Sequence, residues 1–358
     1  MTGQSGTSAG TAGASGAAGS STTAGSGLAG TGSVATAGTA GTPRAGAGAS
    51  AVAGSTSTGT TAGGAGASGM AATSGSGAPA AGSGGTSAAA GAGGTSAAGT
   101  GAAGSTSTGS WPAVTDFGKN GPFMPMTKNN DGPGGGYTLF YPQDLGRDGL
   151  KHPFITWGNG ATTTPPLFTL LPLLASQGFV VIASNNSFVT SAQMKSGLDW
   201  LEMENTRMGS PFYQKLDATK VASMGYSLGS LGTFEIANDP RITTTVHISG
   251  GAMDKAVVPN LKKPAAFFCG DDSDIAHANC ETDFQMANVP VFYGVFPGDH
   301  LGILGTYANQ INPAAAAWLR WRLMSDASLA SWFVGPACTL CKDSKWVVKQ
   351  KMLDTAPP

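Results

Sequence analysis

A serine with a glycine two positions away on either side carries the clearest chemical signal in the sequence. The motif is Gly225-Tyr226-Ser227-Leu228-Gly229, which follows the apolar run 220–224 and precedes a helical pattern at 231–237. A strand, a sharp turn and a helix in this order would project the serine hydroxyl at a helix N-terminus, where backbone N–H groups favour developing negative charge. An ordinary glycine-rich turn is the alternative interpretation. We predict that Ser227 is a nucleophile.

A serine nucleophile needs a general base, and the sequence offers four histidines. His152 and His247 lie before and inside predicted strands, where we expect packing or surface roles. His300 lies in a turn after the last predicted parallel strand, and a loop there can reach a serine at the carboxyl edge of a sheet. We predict that His300 is the base, with His277 as its rival.

The third partner, an acid, would hold the imidazole in its reactive tautomer and stabilise the imidazolium. Three carboxylates, Asp271, Asp272 and Asp274, follow the predicted strand 264–269. Each could instead cap a turn of its own backbone. The chain order serine, acid, histidine is that of α/β-hydrolases. Spacing alone does not choose between Asp272 and Asp274.

Short apolar strands alternate with helices along the part of the chain that carries these residues. This pattern predicts an α/β fold, the α/β-hydrolase arrangement, with a mainly parallel sheet covered by helices on both faces. The predicted strands are 136–142, 153–157, 179–183, 220–224, 241–248, 264–269 and 289–295. The predicted helices are 165–178, 191–204, 231–237 and 313–324, and residues 111–130 are expected to lie over the surface.

Composition divides the chain at about residue 110. Residues 1–110 are almost wholly Gly, Ala, Ser and Thr, with Arg44 as the single charge and no aromatic residue. Such a segment has too little apolar surface to offset the entropy of ordering, so we expect a long disordered low-complexity spacer. Residues 111–358 are long enough for one catalytic domain with a full core, ending in a Cys-x-x-Cys tail.

Charge and hydropathy exclude several classes of partner. The net charge is −1, which gives no electrostatic basis for binding nucleic acid. No apolar run is long enough for a transmembrane helix. The first residues show no signal-peptide pattern. We expect the spacer to tether the folded domain at the cell surface, and a lipid-anchored cysteine upstream of Met1 is one way in which it could do so.

Four cysteines form an even set without a zinc-type pattern. Cys338 and Cys341 are expected to close a small disulfide loop, and Cys269 and Cys280 could staple the loop that follows the strand at 264–269. These expectations favour an oxidising, extracytoplasmic location, secreted or at the cell surface.

Several short segments resemble one exported α/β-hydrolase family. They are the serine motif, the turn with His300, the tail with Cys338 and Cys341, and the segments Trp157-Gly158-Asn159-Gly160 and Ser273-Asp274-Ile275-Ala276. The family is the chlorophyllase- and cutinase-like group that includes bacterial polyester hydrolases, and the resemblance covers roughly 136–346. It implies a serine ester hydrolase, and its acid-loop motif falls on Asp274, with Asp272 as the alternative acid.

The resemblance also implies further site residues. The hydrolase template supplies one oxyanion donor from the N–H of Leu228 and a second from the loop after Trp157, which the family match assigns to Ala161. Gly160 would let substrate approach the backbone, and Tyr226 and Ile275 would border the acyl pocket, although elbow packing explains Tyr226 equally well. Neither a metal nor an organic cofactor is implied.

Substrate identity is less defined by the sequence. Polyester hydrolases of this group carry an aromatic clamp where this chain has small residues at 249–252 followed by Met253, which leaves activity on aromatic polyesters such as PET open. Little sequence is available for a lid, so we expect an open cleft for short-chain or polymer esters. Two alternatives remain, a non-catalytic binding module on a stalk and a carbohydrate-ester deacetylase.

Overall fold

A computed structural model describes residues 109–355; the predicted spacer at 1–110 falls almost wholly outside these residues. One nine-stranded sheet forms the centre of the described part, in the spatial order β1-β2-β4-β3-β5-β6-β7-β8-β9. Its strands are β1 Pro125–Asp131, β2 Tyr137–Pro142, β3 His152–Gly158, β4 Val180–Ser184, β5 Leu216–Tyr226, β6 Ile242–Ile248, β7 Ala265–Gly270, β8 Val291–Phe296 and β9 Val347–Lys351.

Six consecutive positions in this sheet, from β4 through β8, run parallel. The antiparallel pairs lie at the two margins of the sheet. At one margin β1 pairs with β2 and β2 pairs with β4, and at the other margin β9 pairs with β8. Every residue of β3, β4, β7 and β8 is buried, as expected for parallel strands covered on both faces. The predicted fold class is confirmed.

Helices cover both faces of the sheet. They are α1 Leu170–Ser176, α2 Ser191–Thr206, α3 Leu228–Ile236, α4 His277–Met286, α5 Ala308–Met324 and the short α6 Thr339–Lys342. The side chains of α1 and α5 share one core cluster on one face. Those of α2, α3 and α4 belong to two clusters on the other face. Within the described part of the chain, no helix is long and apolar enough to span a bilayer.

The predicted helix at 165–178 is divided in the structure. A 3₁₀ turn at Pro165–Leu167 is followed by an extended residue, Phe168, and α1 begins only at Leu170. Pro172 explains the break, because a proline deep inside a helix lacks the N–H donor and clashes with the preceding turn. With α1 starting at Leu170, Pro172 lies in the first turn, where no intrahelical donor is needed.

Four elements are absent from the sequence-based prediction. The segment expected to be irregular before residue 131 contains β1, and α4 follows the acid loop. The short α6 contains part of the Cys-x-x-Cys motif, and β9 adds an edge strand after it. Disulfides join Cys269 to Cys280 and Cys338 to Cys341, which confirms the expected pairs. The first of them connects the end of β7 to α4 across the loop between them.

The parallel strands all end at one edge of the sheet. The loops that follow β3, β4, β6, β7 and β8, together with the turn between β5 and α3, therefore lie side by side along this carboxyl edge. The predicted serine, acid and histidine all occur in these connections, which is where open α/β sheets bind their ligands.

Candidate active site

The turn between β5 and α3 holds Ser227 in a backbone conformation that non-glycine residues rarely adopt. Its φ is 52° and its ψ is −116°, a strained geometry that persists only where the surrounding structure enforces it. The Ser227 N–H donates to the carbonyl of Ile248, at the end of the neighbouring strand β6, over 3.0 Å. This bond helps to hold the serine at the carboxyl edge of the sheet, with its side chain only partly buried.

Glycines allow this turn to form because backbones meet directly there. A methyl group at Gly229 would overlap the carbonyl group of Gly158, at the end of β3, and one at Gly225 would overlap the carbonyl of Gly229. Steric crowding therefore explains why the motif has glycine at both flanking positions. They let α3 start directly against β3 and β5.

The imidazole of His300 lies between the serine and a carboxylate. Its Nε2 is 2.8 Å from Ser227 Oγ, and its Nδ1 is 2.7 Å from Asp274 Oδ1. A carboxylate accepts and does not donate when ionised. The tautomer consistent with both contacts has Nδ1–H donating to Asp274, which leaves Nε2 to accept from the serine hydroxyl.

Asp274 is buried at the bottom of this arrangement, in the loop after β7. Its Oδ2 accepts from the N–H of Gly270 over 3.0 Å, and its Oδ1 accepts from the N–H of Ala276 over 2.8 Å. Burial by itself raises the pKa of this carboxyl, but the hydrogen bonds from His300 and from the two backbone N–H groups outweigh it and lower the pKa. Asp274 therefore stays ionised beside the imidazole.

The alternative acid and the alternative base lie together, apart from these contacts. The side chain of Asp272 is fully exposed, and the Nε2 of His277 lies 3.4 Å from its carboxylate. The Nδ1 of His277 lies 2.7 Å from the Gly270 carbonyl, to which it donates. Both ring nitrogens of His277 thus face the acid loop rather than Ser227.

The other two histidines are buried packing residues, as the sequence suggests. His152 contacts the N–H of Gly146 and the carbonyl of Gly178 through its two ring nitrogens. His247 stacks on Phe234, and burial lowers its pKa to about 3, so its ring is neutral.

The two predicted oxyanion donors lie on different connections of the carboxyl edge. Leu228 is the first residue of α3, and Ala161 lies on the exposed loop after β3. On the same loop, Thr162 donates its N–H to Ser187 and Thr163 donates to Gly160, so these groups are engaged. Within the described residues, the N–H groups of Leu228 and Ala161 have no protein acceptor, and they remain the predicted donors.

Asn159 organises the loop that carries Ala161, a role that sequence reasoning missed. Its Oδ1 accepts from Trp157 Nε1 over 2.8 Å, and its Nδ2 donates to the Ser184 carbonyl over 2.7 Å. These bonds tie the loop after β3 to the end of β4. A fully buried asparagine directly after a buried strand was the available signal, because such a side chain must find backbone partners.

The three predicted substrate-contacting residues differ in accessibility. Ile275 is 85% exposed on the acid loop. Gly160 packs so closely against the ring of Tyr226 that a methyl group on it would lie 2.5 Å from Cε1. Tyr226 itself is only 2% exposed, and its hydroxyl donates to the His300 carbonyl over 2.6 Å. Its surroundings favour packing within the site over contact with an acyl group.

Large apolar side chains stand exposed on five separate connections along the carboxyl edge. We call this set the apolar rim; it comprises Leu167, Phe188, Met253, Ile275 and Leu301. Phe188 is the one exposed phenylalanine or tryptophan among residues 109–355. Exposed apolar surface around a polar centre is typical of a site for an apolar ligand.

No group of three or more His, Cys, Asp or Glu side chains in the described part of the chain is arranged to hold a metal ion.

A comparison with known protein families identifies a family for this chain. The family model described as PETase, PET hydrolase-like, matches residues 81–333, which is more than half of the chain. The matched region contains the serine motif, the acid loop and the turn with His300, and it ends before the Cys338–Cys341 disulfide. A search of curated proteins finds no match.

Proposed function

The chain belongs to the PET hydrolase-like family of α/β-hydrolases and is a carboxylic ester hydrolase, and we propose that Ser227, His300 and Asp274 carry out the hydrolysis through an acyl-enzyme. The observation that carries this proposal is the pair of hydrogen bonds through the His300 ring, 2.8 Å to the serine and 2.7 Å to the carboxylate. Both distances fall within the range of strong hydrogen bonds.

In the first half of the reaction, Ser227 Oγ attacks the ester carbonyl while His300 Nε2 takes its proton. The carbonyl oxygen becomes an oxyanion, which the N–H groups of Leu228 and Ala161 stabilise. The imidazolium then donates its proton to the alkoxide leaving group. An alcohol departs, and the acyl group remains on Ser227.

In the second half, the same groups act on water. His300 Nε2 removes a proton from a water molecule that attacks the acyl carbonyl, and the proton then returns to Ser227 Oγ as the carboxylic acid leaves. Asp274 keeps Nδ1 protonated throughout and stabilises the positive charge that forms on the ring. Its lowered pKa suits this role because the carboxylate must remain ionised.

We propose short-chain esters and polymer esters as substrates. The apolar rim lies on connections at the same sheet edge as the partly exposed Ser227, and it offers contacts to the apolar segments on either side of an ester bond. No aromatic side chain comes from residues 249–253, the region where polyester hydrolases of this group carry a clamp. Phe188, on the loop after β4, is the exposed ring available in the described structure.

We also propose that the enzyme acts outside the cytoplasm, secreted or held at the cell surface by the predicted spacer at 1–110. Both disulfides support an oxidising compartment. Thiol titration tests this proposal, with protein that is purified without reductant and then unfolded in denaturant. It should give no free thiols without reductant and four after reduction, whereas four free thiols without reductant would contradict it.

Release of p-nitrophenol from p-nitrophenyl butyrate tests the catalytic proposal. The wild-type protein should hydrolyse this ester, and Ser227→Ala should reduce kcat by several orders of magnitude. Ser230→Ala, a buried serine one turn further along α3, is a control for the loss of a serine hydroxyl and should retain activity. Unchanged hydrolysis by Ser227→Ala would refute the proposal.

A further inference from the structure

Tyr226 touches three of the four segments that make up the candidate site. It directly precedes Ser227 in the chain, its hydroxyl donates to the backbone carbonyl of His300 over 2.6 Å, and its ring packs on Gly160 in the loop with Ala161. Few side chains at the second position of such a serine motif could do this. The contact needs a ring for the packing and a terminal donor for the carbonyl.

The environment of Tyr226 fixes its ring firmly. The ring centroid lies 5.3 Å from that of His300 and 5.7 Å from that of Phe168, which in turn packs edge-on against Trp157. Only 2% of the residue is exposed. Burial, with the nearby carboxylates of Asp274 and Asp299, raises the pKa of Tyr226, so its hydroxyl stays protonated and remains a donor.

His300 needs such an anchor because it lies on a loop. The turn Pro297–Leu301 follows β8, and both Pro297 and Asp299 are exposed. The Asp274 contact holds the imidazole at Nδ1, and the Tyr226 bond holds the backbone of the same residue. Two fixed points define the position of a side chain better than one, and a displacement of about 1 Å at a reacting group can cost on the order of a hundredfold in rate.

We propose that Tyr226 is a positioning residue that holds the backbone of His300 at the correct distance from Ser227. The inference rests on the proposed function, since it assigns His300 the role of base. The Tyr226 hydroxyl does not touch the reacting atoms, so its effect reaches the reaction through His300, while the ring keeps its packing on Gly160.

The test is Tyr226→Phe, which removes the hydroxyl and keeps the ring. With p-nitrophenyl butyrate, kcat should fall about tenfold, equivalent to about 1.4 kcal/mol, while KM stays near the wild-type value, because the base is displaced and substrate contacts are not. The matched control is Tyr137→Phe. The Tyr137 hydroxyl is also mostly buried and donates to a backbone carbonyl, that of Gln193, over 2.9 Å. The Tyr137→Phe variant should lose about as much thermal stability as Tyr226→Phe and should keep the wild-type kcat.

A double-mutant cycle with His300→Ala separates an effect on the position of His300 from a general increase in disorder at the site. If Tyr226 acts through His300, Tyr226→Phe should produce no further loss of the residual rate in the His300→Ala background. An equal loss in both backgrounds, or a wild-type kcat for Tyr226→Phe, would overturn the inference. Ser227→Ala measured alongside distinguishes the two failures, since retained hydrolysis in that variant would refute the catalytic proposal itself.

Discussion

The Nε2 atom of His300 lies 2.8 Å from Oγ of Ser227, although 73 residues separate them in the chain. The parallel topology produces this contact. Ser227 follows β5, Asp274 follows β7 and His300 follows β8, so all three emerge at the same edge of the sheet. The backbone conformation of Ser227 then turns the hydroxyl toward the imidazole.

The two candidate acids should behave differently when each is replaced by its amide. Asp274→Asn removes the carboxylate that holds the Nδ1 proton of His300, and we expect kcat on p-nitrophenyl butyrate to fall by about 10³- to 10⁴-fold. Asp272→Asn changes a fully exposed side chain and should leave kcat close to wild type. A larger loss for Asp272→Asn than for Asp274→Asn would show that the acid has been misassigned.

The lowered pKa of Asp274 also predicts a dependence of stability on pH. Because the folded-state pKa lies below the ordinary value of 3.8, ionised Asp274 stabilises the folded protein above that pH, and the contribution is lost as the pH falls through the folded-state pKa. The free energy of unfolding of the wild type should therefore exceed that of Asp274→Asn at neutral pH, with the difference narrowing below about pH 3.8. Urea denaturation of both proteins across this range measures it. A difference that widens on acidification would contradict the assignment.

The type of chemistry at the site was predictable from the sequence, but the choice between the two candidate acids was not. The serine motif, the aspartate-rich loop and the turn with His300 are local signals, and each follows a buried strand that the apolar pattern predicts. Asp272 and Asp274 share one loop, so the sequence could not choose between them without the resemblance to a family. Their difference arises in three dimensions, where Asp274 turns inward to Gly270 N–H and Asp272 faces solvent.

The fold was predictable in its centre and less so at its margins. The central strands are continuous apolar runs because both of their faces are buried. By contrast, β1 has mostly exposed polar side chains, β9 carries two lysines, and α4 buries only Cys280, Asp283 and Phe284. The apolar periodicity of these segments is so weak that their sequences look like those of loops. The bond from Tyr226 to His300 left no trace in the sequence, because a tyrosine hydroxyl bonded to a backbone carbonyl constrains no other residue type.

The close backbone contact at the elbow predicts that Gly229 cannot accept a side chain. In Gly229→Ala the new methyl group would overlap the Gly158 carbonyl, so we expect a loss of at least about 1–3 kcal/mol in the free energy of unfolding, together with loss of esterase activity. Thermal unfolding and p-nitrophenyl butyrate hydrolysis provide the two readouts. The control is Gly136→Ala, where φ is −91° and the methyl group would meet only the Pro133 carbonyl, at an ordinary contact distance of 3.6 Å. Equal tolerance at both glycines would contradict the packing described for the elbow.

Phe188 should influence the choice between aromatic and aliphatic esters. As the exposed ring of the apolar rim, it can pair with an aromatic acyl group, a contact worth about 0.5–1.5 kcal/mol beyond area burial. We expect Phe188→Ala to lower kcat/KM for p-nitrophenyl benzoate about 3- to 10-fold more than for p-nitrophenyl butyrate. Met203→Ala is the control, since Met203 is 52% exposed at the end of α2 and lies outside the rim. Equal effects on both esters would exclude a ring contact by Phe188.

Covalent labelling of Ser227 tests the central claim most directly. A fluorophosphonate reacts with a serine that a neighbouring base activates, so incubation followed by intact-mass and peptide mass spectrometry should find one adduct, on the peptide containing Ser227, and esterase activity should disappear in proportion to labelling. His300→Ala should label far more slowly than the wild type. An adduct on another residue, or full inactivation with Ser227 unmodified, would contradict the account.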